Sequence, residues 1–96
     1  MDDYGLKDKV GLIAGGGSRD EGIGNGRGAA ILLARAGAKV AVMDRDLEAA
    51  KKTVNMIRNE GNEATAFACD ATDESDCKSL IEAVMDTYGR LDCLDN

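Results

Sequence analysis

Three short apolar runs, each closed by a glycine or an acid and followed by a stretch with helical spacing, most constrain what this chain can become. Val10 to Ala14 is closed by Gly15-Gly16-Gly17, Lys39 to Met43 ends in Asp44, and Ala64 to Ala68 leads into a turn at Asp70 to Thr72. Runs of this length without polar alternation read as strands buried on both faces, the pattern of a parallel sheet covered by helices. Asn25 to Ala36 is rich in small and aliphatic residues and stops at Gly37, which suits a left-handed helix cap. Asp46 can cap a second helix, in which Leu47, Ala50, Val54 and Ile57 form the apolar face before Gly61; Glu48, Lys51, Lys52 and Asn55 form the other. A third helix runs from about Asp73 to Tyr88, with Cys77, Leu80, Ile81, Val84 and Tyr88 on one stripe and Gly89 at its end. Leu91 to Asn96 reads as the start of a fourth strand, which leaves strand one with an unpaired, apolar flank. The order is that of right-handed crossovers feeding one α/β sheet, in a single domain over residues 1–96.

Composition narrows the partners. A chain of 96 residues forms one domain at most, with a modest core. Twelve basic against eighteen acidic side chains give a net charge of -6, which repels nucleic acid and anionic lipid surfaces. No apolar run is long enough for a membrane span. The three cysteines, Cys69, Cys77 and Cys93, have no zinc or haem spacing and no histidine beside them, so reduced thiols in a cytoplasmic protein are expected. The acidic start Met1-Asp2-Asp3, with no secretory apolar core after it, predicts no export signal.

The segment Gly15-Gly16-Gly17-Ser18-Arg19-Asp20-Glu21-Gly22-Ile23-Gly24-Asn25-Gly26 stands between the first strand and the first helix. A diphosphate approaches backbone amides closely only where side chains are absent, and free N–H groups with the helix dipole favour its charge. Gly15, Gly17, Gly22, Ile23, Gly24, Asn25 and Gly26 are therefore candidates for a dinucleotide seat, at the head of a strand–helix–strand unit. Ser18 can add a hydrogen bond to phosphate; Arg19 either pairs with phosphate or is solvated.

Asp44 ends strand two about twenty residues beyond the glycines, where a carboxylate accepts the ribose hydroxyls of adenosine and repels an added 2′-phosphate. NAD is expected over NADP, although Arg45 next door is suited to the extra phosphate. Asp70 and Ala71, at the end of strand three, share that edge, and Asp70 can accept from the adenine amino group. Either acid can instead serve only its own turn.

Read together, these residues resemble the N-terminal half of the short-chain dehydrogenase/reductase family, from Lys7 to Asn96. Leu6-Lys7-Asp8-Lys9-Val10 resembles the family's lead into strand one, Ala14-Gly15 stands where its Thr-Gly pair opens the glycine motif, and Ala36-Gly37-Ala38-Lys39-Val40 resembles its helix exit. Asp44 falls at the NAD-selecting acid and Asp70 at the adenine-contacting acid. Gly89-Arg90-Leu91-Asp92 resembles the approach to an Asn-Asn-Ala-Gly motif, of which Asn96 would be the first asparagine. The resemblance implies a Rossmann-like sheet and a hydride-transferring enzyme using NAD, with NADP as the alternative, on an alcohol or ketone, commonly as a homo-oligomer. Two departures stand out: Ala14 replaces the threonine, and the loop is longer than T-G-x-x-x-G-x-G. Its last two motif glycines are Gly22 and Gly24 or Gly24 and Gly26; the second register keeps the usual length of the helix up to Gly37.

The resemblance also implies a catalytic Tyr-x-x-x-Lys pair and a serine, and these are not recognisable here. At the matching spacing Tyr4 meets Asp8 and Tyr88 meets Asp92, while Ser75 and Ser79 lie on the third helix. The expectation is a truncated, cofactor-binding portion that is inactive alone. Two other classes fit parts of the pattern. An S-adenosylmethionine-dependent methyltransferase also has a glycine loop and an acid after strand two, but its loop usually starts with an acid where Ala14 stands. A non-catalytic nucleotide-binding module is the other.

Overall fold

The computed structural model describes residues 6–15 and 25–95. Their elements are β1 (Val10–Ala14), α1 (Asn25–Arg35), β2 (Lys39–Asp44), α2 (Leu47–Asn59), β3 (Ala64–Ala68), α3 (Glu74–Tyr88) and β4 (Cys93–Asp95). All pairings are parallel and the strand order is β3-β2-β1-β4, so the chain works outward from β1 to β3 and then crosses to the other side of β1. That reversal of direction at β1 is the switch point where open parallel sheets hold ligands.

The strands lack polar alternation because both faces are covered. Ile13, Val40 and Val42 point to the face carrying α1 and α2, where they meet Ala30, Ala34, Ala50, Val54 and Ile57. Val10, Leu12, Ala41 and Met43 point the opposite way and pack with Cys69 and with Leu80 and Val84 of α3. Successive strand residues alternate sides, so each buries a side chain in one of two cores. Among the described residues α3 is the one helix on the second face of these strands, and its stripe is only half buried. Leu80 and Val84 are enclosed, Cys77 and Tyr88 pack against them, and Ile81 and Met85 stay exposed.

Local chemistry sets the helix ends. Asp46 accepts from the backbone N–H groups of Glu48 and Ala49 at 3.1 and 3.4 Å, and Asp73 caps α3 by accepting from Asp76 N–H. These side chains satisfy amides that have no partner within the helix. Gly37, Gly61 and Gly89 all stand in the left-handed region after their helices, which accounts for the stops expected there.

Strand one has no unpaired flank, contrary to the sequence expectation. β4 occupies that side, with Gly11 opposite Cys93, Leu12 opposite Leu94 and Ile13 opposite Asp95. The side chain and backbone of Asp92 hold the start of this pairing: Val10 N–H donates to Asp92 Oδ2 at 2.8 Å, and Asp92 N–H donates to the Val10 carbonyl at 2.9 Å. Arg90 forks onto the same carboxylate at 2.8 and 2.7 Å. The arginine, then the Val10 amide, hold the Asp92 carboxyl down at about 2. Among the described residues the edge strands are therefore β3 and β4.

Among the described residues, no helix is long and apolar enough to cross a membrane.

Candidate functional site

A parallel sheet gathers the C-terminal ends of its strands along one edge. Here that edge carries Ala14-Gly15 after β1, Asp44-Arg45 after β2, and Cys69-Asp70-Ala71 after β3. A bond from Cys69 N–H to the Asp44 carbonyl, 3.0 Å, carries the β2–β3 ladder past the last strand residue and fixes the two acids on adjacent tips. After this edge's first tip the described chain resumes with α1 at Asn25, with Gly26 in its first turn.

Gly15 turns the chain away from β1 at φ +68°, a conformation that a side chain disfavours. A Cβ built there would meet no atom within 4 Å, so glycine is required by the backbone twist and not by crowding. Among the described residues the space beside the Gly15 Cα is open. Gly17, Ser18, Arg19, Gly22, Ile23, Gly24 and Asn96, expected to contact the cofactor, lie outside the described residues, as does the choice between the two glycine registers.

The two acids at the strand tips serve their own turns. Asp44 is half-buried, and its Oδ1 accepts from Asp46 N–H at 2.9 Å, which positions Asp46 to cap α2. Asp70 Oδ1 accepts from both the amide and the hydroxyl of Thr72, at 2.9 and 2.7 Å, in a turn closed by Asp73 N–H on the Asp70 carbonyl at 3.0 Å. The Thr72 hydroxyl, then its amide, lower the Asp70 carboxyl, and the Arg45 charge acts in the same direction. These two acids are thus bound to their turns through Oδ1 among the described residues.

Beneath this edge, on the α3 side, lies an apolar cavity of about 250 Å³ lined by Leu12, Ala14, Met43, Ala71, Cys77, Leu80 and Ile81. Apart from Ala71, these wall residues were not among the expected ligand contacts. Their signal in the sequence is the alternate-face pattern of β1 and β2, which places Leu12, Ala14 and Met43 on one side.

A second feature hidden in the sequence is Arg27. It lies in α1 only 2% exposed, and its Nε donates to the Thr53 hydroxyl at 2.8 Å, joining the first turns of α1 to the middle of α2. An arginine one residue past the glycine segment reads as a surface charge, and its burial depends on Thr53 being far away in sequence and close in space.

Tyr88 does not supply an acid–base pair at this edge. Tyr88 hydrogen-bonds Thr65 at 2.7 Å near the start of β3, at the opposite edge of the sheet from Asp44 and Asp70. Burial, opposed by that hydrogen bond, raises its phenol. Tyr4 lies outside the described residues. Ser75 and Ser79 are exposed on α3. No group of three or more histidine, cysteine or acidic side chains among the described residues could hold a metal ion.

The fold and edge define the first half of a doubly wound, nucleotide-binding type of sheet. The profile of the family described as short chain dehydrogenase matches residues 9–96, and the chain belongs to that family. It is 38% identical over 89 residues to the short-chain dehydrogenase/reductase homolog YusS of Bacillus subtilis, covering 92% of this chain and 77% of YusS. It is 35% identical over 95 residues to the 7alpha-hydroxysteroid dehydrogenase of Escherichia coli, covering 99% of this chain and 35% of that enzyme. Apart from YusS, the chain spans about a third of the length of these curated relatives.

Solved structures agree. A short-chain dehydrogenase/reductase from Burkholderia xenovorans superposes with a TM-score of 0.89 at 37% identity, covering 93% of this chain and 35% of that one. A metagenomic short-chain oxidoreductase in complex with NADP gives 0.84 at 28% identity, with coverage of 93% and 38%. A D-mannonate oxidoreductase-like structure from Haemophilus influenza with bound NAD gives 0.84 at 26% identity, with coverage of 93% and 30%.

Proposed function

We propose that the C-terminal sheet edge seats the adenosine and diphosphate of a nicotinamide dinucleotide, NAD in preference to NADP, as the cofactor-binding portion of an alcohol or ketone oxidoreductase. The observation that carries this reading is the placement of Asp44 and Asp70 on neighbouring strand tips beside the open turn at Gly15. Relatives solved with NAD and with NADP support a dinucleotide of this type.

In this reading the backbone of Gly15, Gly17, Gly22, Ile23, Gly24, Asn25 and Gly26, with Ser18 and Arg19, surrounds the diphosphate at the start of α1. Asp44 holds the ribose hydroxyls through the carboxylate oxygen not used by Asp46. Asp70 and Ala71 border the adenine, and Asn96 continues the edge beyond β4. Arg45 would be the natural partner of a 2′-phosphate, but the Asp44 carboxylate beside it repels that group and favours the unphosphorylated ribose.

When bound, the nicotinamide supplies the hydride chemistry. The described residues orient the cofactor's other end and bring no tyrosine–lysine pair to it, so proton transfer falls to residues outside this set. The substrate is a small alcohol or ketone, and assembly into homo-oligomers follows the resemblance to the family. Calorimetric titration with NAD, NADP and S-adenosylmethionine tests the proposal. NAD is expected to bind most tightly; tighter binding of S-adenosylmethionine, or no dinucleotide binding, would overturn it.

A further inference from the structure

Two thiols meet where the third strand gives way to the third helix. Cys69, just after β3, is 3% exposed within the core beneath α3. Cys77, in the first turns of α3, packs against the same cluster and lines the 250 Å³ cavity. Its Sγ lies 4.0 Å from the Asp70 carbonyl and 3.6 Å from the Ala71 carbonyl, directly over the chain leaving Cys69. Both thiols stand against this one core cluster; burial first, then Cys77, Asp76 and Asp70, push the Cys69 thiol up to about 11.

We propose that Cys69 and Cys77 form an oxidisable pair, which a small organic disulfide converts into an intramolecular bridge closing Asp70 to Asp76 into a loop. Cys77 is the partner reached from the cavity. Its sulfur, as thiolate, attacks the reagent, forming a mixed disulfide and releasing one thiol. Cys69 then loses its proton to solvent and attacks the Cys77 sulfur, which breaks the mixed disulfide and releases the second thiol. Two protein thiols are oxidised and one reagent disulfide is reduced to two thiols. The loop contains Asp70 and Ala71, so the bridge would fix the chain proposed to border adenine. This consequence rests on the dinucleotide reading; formation of the bridge does not.

No lysine or arginine lies between Arg58 and Lys78, so trypsin leaves both cysteines in one peptide, Asn59 to Lys78. The full chain is equilibrated without cofactor in buffers of hydroxyethyl disulfide and 2-mercaptoethanol at mildly alkaline pH, then acid-quenched, alkylated, digested and weighed. The expected product is a peptide two hydrogens lighter than the dithiol, with neither sulfur alkylated. It should form in the folded chain at a reagent ratio about tenfold more reducing than in urea, because folding holds the sulfurs together. Cys93→Ser should keep the bridge, Cys69→Ser should stop at a mixed disulfide on Cys77, and Cys77→Ser should leave buried Cys69 unmodified. A folded chain that needs a more oxidising buffer than the urea-unfolded chain, or that bridges to Cys93 instead, would overturn the proposal.

Discussion

Replacing Asp44 by asparagine separates its two roles. The amide oxygen can still accept from Asp46 N–H, now 2.9 Å from Asp44 Oδ1, so the turn and the Asp46 cap of α2 should survive. What disappears is the negative charge facing the edge. Hydrogen bonds to a charged group contribute about 1.5–3 kcal/mol each, and about 1.4 kcal/mol is a factor of ten. Losing the charge on one such bond should therefore weaken NAD by roughly 10-fold, and by up to about 100-fold if both ribose hydroxyls depend on it. NADP should lose less or gain, because the repulsion of its 2′-phosphate goes too. The chain has no tryptophan, so NADH and NADPH can be titrated by their own nicotinamide fluorescence. Circular dichroism unfolding of the same variant checks the turn. An asparagine variant that binds NADH within twofold of the parent, with the NADH-to-NADPH preference unchanged, would refute the role given to the carboxylate.

Three further outcomes follow from the geometry. Asp92 is held at about 2 against an ordinary 3.8, so its ionised form stabilises the fold. That contribution is fully present above pH 4 and lost as pH falls toward 2, and urea unfolding across this range should show a steeper loss for the parent than for Asp92→Asn. Asp46→Ala removes a cap and should cost about 1 kcal/mol in chemical unfolding. Tyr88→Phe breaks the bond to Thr65 and should cost about 1 kcal/mol in stability while leaving NAD affinity unchanged, since the pair lies at the far edge.

Much of the fold was legible because its signals are local. The apolar runs at Val10, Lys39 and Ala64, the acid caps at Asp46 and Asp73, and the glycines that end each helix depend on neighbours a few residues away. The relation of β4 to β1 was not legible. It depends on Asp92 meeting Val10 across most of the chain, and a three-residue strand carries little pattern of its own. Burial of Arg27 was hidden for a similar reason, since nothing near it in sequence announces Thr53. The α3 stripe was read correctly as apolar but too wide, because among the described residues α3 is the one helix on that face and Ile81 stays exposed.

The candidate site was legible as a place more than as a set of contacts. Strand order puts Gly15, Asp44 and Asp70 on one edge whatever their side chains do. Asp44 and Asp70 support two readings from sequence because a short acid after a strand can tie its own turn or meet a ligand, and the structure shows the turn contacts. The cavity wall required knowing which strand residues face α3, and Cys77 becomes notable only once Cys69 is seen beside it.

Amide chemical-shift mapping during NAD titration tests the central claim most directly. The account predicts shifts concentrated at Gly15, Gly26, Asp44, Asp70 and Ala71, with Thr65 and Tyr88 unmoved. Saturating NAD that leaves those edge amides in place, or shifts centred on the Thr65–Tyr88 end of the sheet, would contradict it.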